Sequence, residues 1–310
     1  MIGSINMDLV CRTPRIPAPG ETIIGESPFT VPGGKGANQA VAAAKLAGPD
    51  TDVYMIGRVG GDHFGPRLLD GLSQNRVRTE YVTLTEGVAS GCAMILVDRK
   101  GENSIVVGPG SNARLTPADI DQAADIIEGS AAVLIQLEIP LATVRHAIRL
   151  ARKAGVFTIL DPAPVPPDGL PSDLFRVDVL TPNQGESELL TGRKRTHRVT
   201  SRKVSDPKLI AGGLISRGAA NVVLKLGNKG ALVMNRDGQI RRLRSHKVNV
   251  TDTTAAGDAF SGALAVGRAE GMDLEHMVRF ANAAGAACCE KFGAQPALPT
   301  RDQVERLMAS

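Results

Sequence analysis

From residue 53 to residue 270, short apolar runs alternate with longer Ala-rich ones, and this rhythm constrains the fold more than any other feature. Strand-like runs fall at 53–56, 132–136, 156–160, 177–180 and 222–225. Helix-like runs fall at 37–46, 117–127, 141–153, 185–190 and 258–270. Such alternation predicts an α/β fold: a mostly parallel sheet with helices on both faces. Thr116 followed by Pro117 reads as a helix start, with Thr as N-cap and Pro in the first turn. Two regions break the rhythm. Residues 9–32 carry five prolines among extended-looking pieces such as 22–24. Residues 90–107 read as a hairpin turning at Arg99-Lys100-Gly101. Both suit strands outside the main sheet, and no internal repeat is visible.

A length of 310 residues fits one large domain or two small ones. Only 3% of residues are aromatic and Trp is absent, so base-stacking platforms for single-stranded nucleic acid are not provided. The net charge of +4 first suggests an anionic partner for the whole chain. However, six of the 36 basic residues and none of the 32 acidic ones lie in residues 193–203, RKRTHRVTSRK, so the rest of the chain is slightly acidic. This tract is expected in an exposed loop, and no recognition-helix or RRM motif accompanies it. No apolar stretch approaches the roughly 18 residues of a membrane helix. The N-terminus lacks the basic region of a signal peptide. Cys11, Cys92, Cys288 and Cys289 form no CxxC pair, and the five histidines are scattered. Buried free thiols in a cytoplasmic protein are expected.

Two segments carry the chemistry. Gly33-Gly34-Lys35-Gly36-Ala37-Asn38 precedes an Ala-rich helix, where glycines admit a ligand to the backbone and a helix N-terminus favours polar or anionic groups. It is neither a P-loop nor a dinucleotide fingerprint, and alone it is equally compatible with a turn. Asp252-Thr253-Thr254-Ala255-Ala256-Gly257-Asp258 also opens a helix. Its small residues leave N–H groups open to the negative charge of a phosphoryl group. Asp258 falls in the first helical turn, where it could act on a substrate hydroxyl or simply cap the helix.

Together these segments resemble the two signatures of the PfkB carbohydrate-kinase family, with its ribokinase-like fold. Residues 3–8 (GSINMD), 33–40 (GGKGANQA), 136–138 (QLE), Asn183-x-x-Glu186, Gly227-x-x-Gly230 and 293–296 (GAQP) appear in the family's order, across nearly the whole chain. The resemblance implies a single three-layer α/β/α domain over 1–310, with a small β-sheet lid from about 9–32 and 90–107. It implies ATP-dependent phosphorylation of D-ribose at its 5-hydroxyl, with Asp258 as catalytic base. It also makes the N–H groups of Ala255, Ala256, Gly257 and Asp258 the anion hole. The sugar would be held by Asn6, Asp8, Gly34, Lys35, Gly36, Ala37, Asn38 and Glu138. Nucleotide contacts are implied for Asn183, Lys225, Leu226, Gly227, Asn228, Lys229, Gly230, Gly257, Asp258 and Asn282. Glu186 is assigned to a magnesium network. A potassium site is implied at Asp252, Thr254, Cys288, Lys291, Gly293 and Ala297, largely through carbonyl oxygens. Homodimerisation through the lid is a further implication. The alternatives are another PfkB sugar or nucleoside kinase, for fructose, 2-keto-3-deoxygluconate or a nucleoside, or a non-catalytic sugar-binding regulator on the same scaffold.

The chain departs from the family pattern in places. Ala255 stands where Gly is commoner, Ala297 where Ser is frequent, and Lys225 where Thr is usual. Few apolar residues precede Gly3, so either the chain starts late or a short first strand is expected.

Overall fold

In a computed structural model, residues 1–192 and 206–309 are described, and the basic tract at 193–203 lies outside them. The strands in chain order are β1 (Asn6–Arg12), β2 (Phe29–Gly33), β3 (Val53–Gly60), β4 (Val77–Thr85), β5 (Gly91–Val97) and β6 (Asn103–Gly108). They continue with β7 (Ala132–Ile135), β8 (Phe157–Leu160), β9 (Val179–Leu180), β10 (Asn221–Lys225), β11 (Ala231–Asn235) and β12 (Ile240–Leu243). The helices are α1 (Lys35–Leu46), α2 (Phe64–Gln74), α3 (Pro117–Gln122), α4 (Ala124–Glu128) and α5 (Leu141–Lys153). After them come α6 (Gln184–Leu190), α7 (Pro207–Ser216), α8 (Ala256–Ala269), α9 (Leu274–Cys288) and α10 (Arg301–Ala309).

The main sheet runs β12-β11-β10-β9-β8-β7, parallel from β7 to β10 and antiparallel at β11 and β12. β3 and β4 pair in parallel beside it. The chain's first residues fill the gap: Ile2 bridges Ile56 on one side and Ile135 on the other. The expected short first strand is thus a single bridging residue in the main sheet, and β1 belongs to the other sheet.

Alternate residues of the sheet serve two cores, as a pleat with both faces covered requires. Leu134, Ile159, Val179 and Val223 join a core with α1, α8 and α9. Val133, Leu160, Leu180, Val222 and Leu224 join another with α5 and α7. Helices therefore cover both faces. α1 and α8 pack almost backbone to backbone, because a Cβ on Gly262 would stand 2.9 Å from the Gln39 carbonyl. That contact sets the start of α1 against the start of α8, where the site lies.

A second sheet, ordered β2-β1-β5-β6, is built from the regions that break the rhythm. The extended-looking piece at 22–24 forms no strand, and Ile24 is 90% exposed. The helix expected at 117–127 is two helices, with Ala123 between them. There the Ala123 N–H bonds to Ile120 O, a tightened turn that keeps Ile120, Ala123 and Ile127 all on the core. Thr116 caps α3 in a capping box with Asp119. Of the four free cysteines only Cys288 is buried; the other three are partly exposed.

Candidate active site

The site lies along the carboxyl ends of the parallel strands, where open α/β sheets bind ligands. At one end, the residues before α1 and on β1 converge. Asn6 is buried, and its Oδ1 accepts a hydrogen bond from Asn112 Nδ2 at 2.7 Å. The Asp8 side chain lies over Gly33, the residue that leads into α1 through Gly34. The Asp8 carboxyl is pushed up to about 7, by burial first and then by the charges of Glu138 and Asp258. Glu138 accepts from Ser4 Oγ at 2.5 Å and from the Lys35 N–H at 3.2 Å. Gly36 lies against Gly3, and the Ala37 N–H bonds to Ser4 O. Burial works against the Lys35 ammonium, but Asp258, Asp161, Glu138 and Glu186 outweigh it and hold the lysine firmly protonated.

Asp258 sits in the first turn of α8 and is 7% exposed. Its Oδ2 accepts from Asn38 Nδ2 at 3.1 Å, and its Oδ1 from Gln39 Nε2 at 3.0 Å. Burial raises its proton affinity; Lys35, Gln39 and Asn38 oppose that and Asp161 adds to it. The other face of the Asn38 amide, Oδ1, is buried without a partner among the described residues. A buried acceptor left open beside a carboxylate suits a hydroxyl donor. The first-turn N–H groups of Gly257 and Asp258 have no carbonyl one turn back to bond. Ala256 differs, since its N–H turns onto Thr253 O at 3.3 Å. Ala255 holds a left-handed conformation, φ +59°, at the N-cap.

The residues from 183 to 282 form the other end. Asn183 caps α6 and exchanges hydrogen bonds with Glu186 in a capping box. Burial raises the proton affinity of Glu186, against the pull of Lys225. Asn183 bridges Lys225 at the end of β10. Leu226 then bonds back to Gly230 across a single 3₁₀ turn of Gly227, Asn228 and Lys229, all three exposed. Gly230 has φ +82°, and a Cβ there would stand 2.0 Å from Leu243 O. Only glycine fits this position. Asn282 of α9 is buried, with Nδ2 3.4 Å from the carbonyls of Leu243 and Arg244. Those two residues line a cavity of about 430 Å³ together with His246 and Arg279.

Comparison with known proteins places the chain in a family. Residues 1–301 match the pfkB family carbohydrate kinase description. The chain belongs to the PfkB family of carbohydrate kinases. It is 40% identical over 310 residues to the ribokinase of Bacillus subtilis, covering 100% of this chain and 98% of that one. It is 34% identical to the deoxyribokinase of Salmonella typhi, covering 100% and 98%. Among solved structures, the ribokinase of Arabidopsis thaliana complexed with ribose and ATP superposes with a TM-score of 0.86, at 32% identity and over 99% and 97% of the two chains.

In this PfkB kinase, five of the six residues assigned to the cation meet beside α8. Asp252 Oδ1 accepts from the N–H and hydroxyl of Thr254, and its Oδ2 from the Gly293 N–H at 2.9 Å. Burial pushes the Asp252 carboxyl up, but these bonds prevail and keep it low. Cys288 Sγ donates to Thr254 O at 3.6 Å, and the Lys291 N–H reaches Cys288 O. Burial, before any charge, drives the Cys288 thiol up to about 12. Ala297 is buried in the core beneath the loop, where its methyl offers no donor.

Sequence reasoning singled out no role for Gln39, Asn112, Asp161 or Ser261, which link the site's elements. Asp161 ties three elements of the site together. Its Oδ2 accepts from Gln39 Nε2 and Ser261 Oγ, and its Oδ1 from Lys225 Nζ. Its position just past β8, followed by Pro162, was the available signal. Lys45 was also missed; its ammonium donates to the carbonyls of Gln295 and Leu298 and ties α1 to the segment after Gly293. Among the described residues, no helix is long and apolar enough to cross a membrane.

Proposed function

We propose that this kinase transfers the γ-phosphoryl group of ATP to the 5-hydroxyl of D-ribose, giving D-ribose 5-phosphate and ADP. One observation carries the reading: a buried carboxylate, Asp258, opens α8 and is bonded to Asn38, whose other amide face awaits a hydroxyl. Asp258 takes the proton of the sugar hydroxyl as that oxygen bonds to the γ-phosphorus. The bond from the γ-phosphorus to the β,γ-bridging oxygen breaks, and ADP leaves with the pair. N–H groups at the start of α8, led by Gly257 and Asp258, receive the charge of the phosphoryl oxygens. Asp8, as an ionised acceptor, binds sugar hydroxyls with Asn6, Asn38, Glu138 and the 34–37 backbone. The turn at 227–230, with Asn183, Lys225 and Asn282, holds the nucleotide.

Two cations fit the donors present. The Glu186 carboxylate would join a magnesium–water network that neutralises charge on the nucleotide's phosphates, with Asn183 beside those phosphates. Asp252 and the carbonyls of Thr254, Cys288, Lys291 and Gly293 are hard oxygen donors suited to potassium, which would brace the loop leading into α8. The four-stranded sheet acts as a lid that excludes water from the transfer. Its outer strand β6 leaves Ile105, Val106 and Val107 at least 45% exposed, an unpaired apolar edge that suits a second copy of the chain. The Bacillus and Arabidopsis relatives support ribose as the sugar. The Salmonella relative makes 2-deoxy-D-ribose the necessary control.

The test is ADP release over D-ribose, 2-deoxy-D-ribose, D-fructose, 2-keto-3-deoxygluconate and a nucleoside, with and without potassium. Ribose is expected to give the highest kcat/KM, with potassium stimulating it. Turnover on another member alone would overturn the ribose assignment. No phosphoryl transfer to any of them would favour a binding role.

A further inference from the structure

Asp161 is 2% exposed and is held by neutral donors on two helices, Gln39 of α1 at 3.0 Å and Ser261 of α8 at 2.9 Å. Its backbone N–H is fixed to Ile135 O at the end of β7. These ties leave Oδ1 for Lys225 Nζ, at 3.0 Å. Lys225 lies at the end of β10, with its side chain 12% exposed. Its ammonium stands 3.8 Å from where a Cβ on Gly257, in the first turn of α8, would be.

A purely structural ion pair does not explain this placement. Buried pairs stabilise little over well-packed apolar residues, and β8 and β10 are filled mainly by apolar residues, Phe157, Ile159, Leu160, Val222, Val223 and Leu224. The pair sits instead at the ligand-bearing edge. The charges that act on this centre are Asp258 from α8, Glu186 from α6, Asp8 from β1, Glu138 after β7 and Lys35 from α1. With Asp161, five carboxylates face two ammonium groups. An incoming phosphoryl group meets this excess of negative charge, and Lys225 is the cation next to the α8 N-terminus.

Resting on the phosphoryl-transfer reading above, we propose that Asp161 is a positioning residue that fixes the Lys225 ammonium beside the anion hole, where Lys225 contacts the phosphoryl group being transferred. Lys225 thus acts on the terminal phosphate, and Asp161 acts only through it.

Nucleotide affinity tests this without any sugar. ADP and the β,γ-imido analogue of ATP are titrated calorimetrically, with magnesium, into wild type, Asp161→Asn, Lys225→Thr, Lys225→Arg and the Asp161→Asn/Lys225→Thr double variant. Asp161→Asn and Lys225→Thr should each weaken the ATP analogue about 10-fold and leave ADP within about 2-fold, because only the ATP analogue carries a γ-phosphoryl group. Lys225→Arg should retain most of the difference. The double variant should lose no more than Lys225→Thr alone. Additive losses, equal losses for ADP, or an unchanged analogue affinity would each overturn the proposal. If Asp161→Asn fails to fold, the two Lys225 variants decide it by the same comparison. Absence of ribose turnover would sink the substrate reading while leaving these titrations interpretable.

Discussion

At the proposed sugar end of the cleft, Asn6, Asn38, Gln39 and Asp258 are buried and bonded through their side chains, and they come from three separate elements. At the nucleotide end, residues 227–229 form an exposed turn whose shape rests on backbone bonds and on Gly230. The difference follows from what each end must do. In the proposed function a proton is moved at the first, so a carboxylate has to be desolvated and aimed, and a packed shell of side chains achieves that. At the second the proposal has a flexible polyanion held, for which main-chain N–H groups on a tight turn suffice. Substitutions should therefore divide into those that stop chemistry and those that loosen nucleotide binding.

The sharpest break is Asp258→Asn, which keeps the shape and the Asn38 contact but removes the base. Its kcat should fall about 10²–10⁴-fold while calorimetric sugar affinity changes little. A comparable fall in sugar affinity would mean that the carboxylate serves binding more than proton transfer.

Asp8→Asn comes next, since it removes charged acceptors from the sugar; affinity should fall about 10–100-fold. The ionisation of Asp8 also gives a pH signature. Its carboxyl titrates at about 7 in the empty fold, so sugar affinity should rise with pH through that value and then flatten. Stability runs the other way. The folded protein binds this proton more tightly than the unfolded chain, so the unliganded protein should lose stability as pH rises from about 4 to about 7. Asp8→Asn should remove that part of the slope in a series of unfolding midpoints.

At the nucleotide end, Gly230→Ala should raise the KM for ATP about 10-fold through distortion of the turn, with sugar affinity nearly unchanged. The smallest effect is expected for Ala255→Gly. Relief of the left-handed alanine should stabilise the protein by up to about 1 kcal/mol in denaturant unfolding.

Much of the fold was legible because the parallel strands are short apolar runs with helices between them, and the helix at 141–153 came out at its expected bounds. The split at Ala123 was not legible, because a tightened turn among core residues leaves the apolar pattern unchanged. In the site, Asp258 stood out because it follows small residues at a helix start. Gln39 and Ser261 did not, since each is an ordinary polar residue within an Ala-rich helix. Their importance arises only when Gly262 lets α1 and α8 touch. Lys225 showed as a departure from the family's pattern, but its partner Asp161 is 64 residues away and only the sheet brings them together.

The proposed reaction is phosphoryl transfer to the primary hydroxyl of ribose at the Asp258 end of the cleft. Product analysis by ³¹P and ¹³C NMR after incubation with D-ribose and ATP tests it most directly. The account predicts a single sugar phosphate with phosphorus coupled to C5, formed by wild type and not by Asp258→Asn over the same period. Phosphorus coupled to C1, or the same product at the same rate from Asp258→Asn, would contradict it.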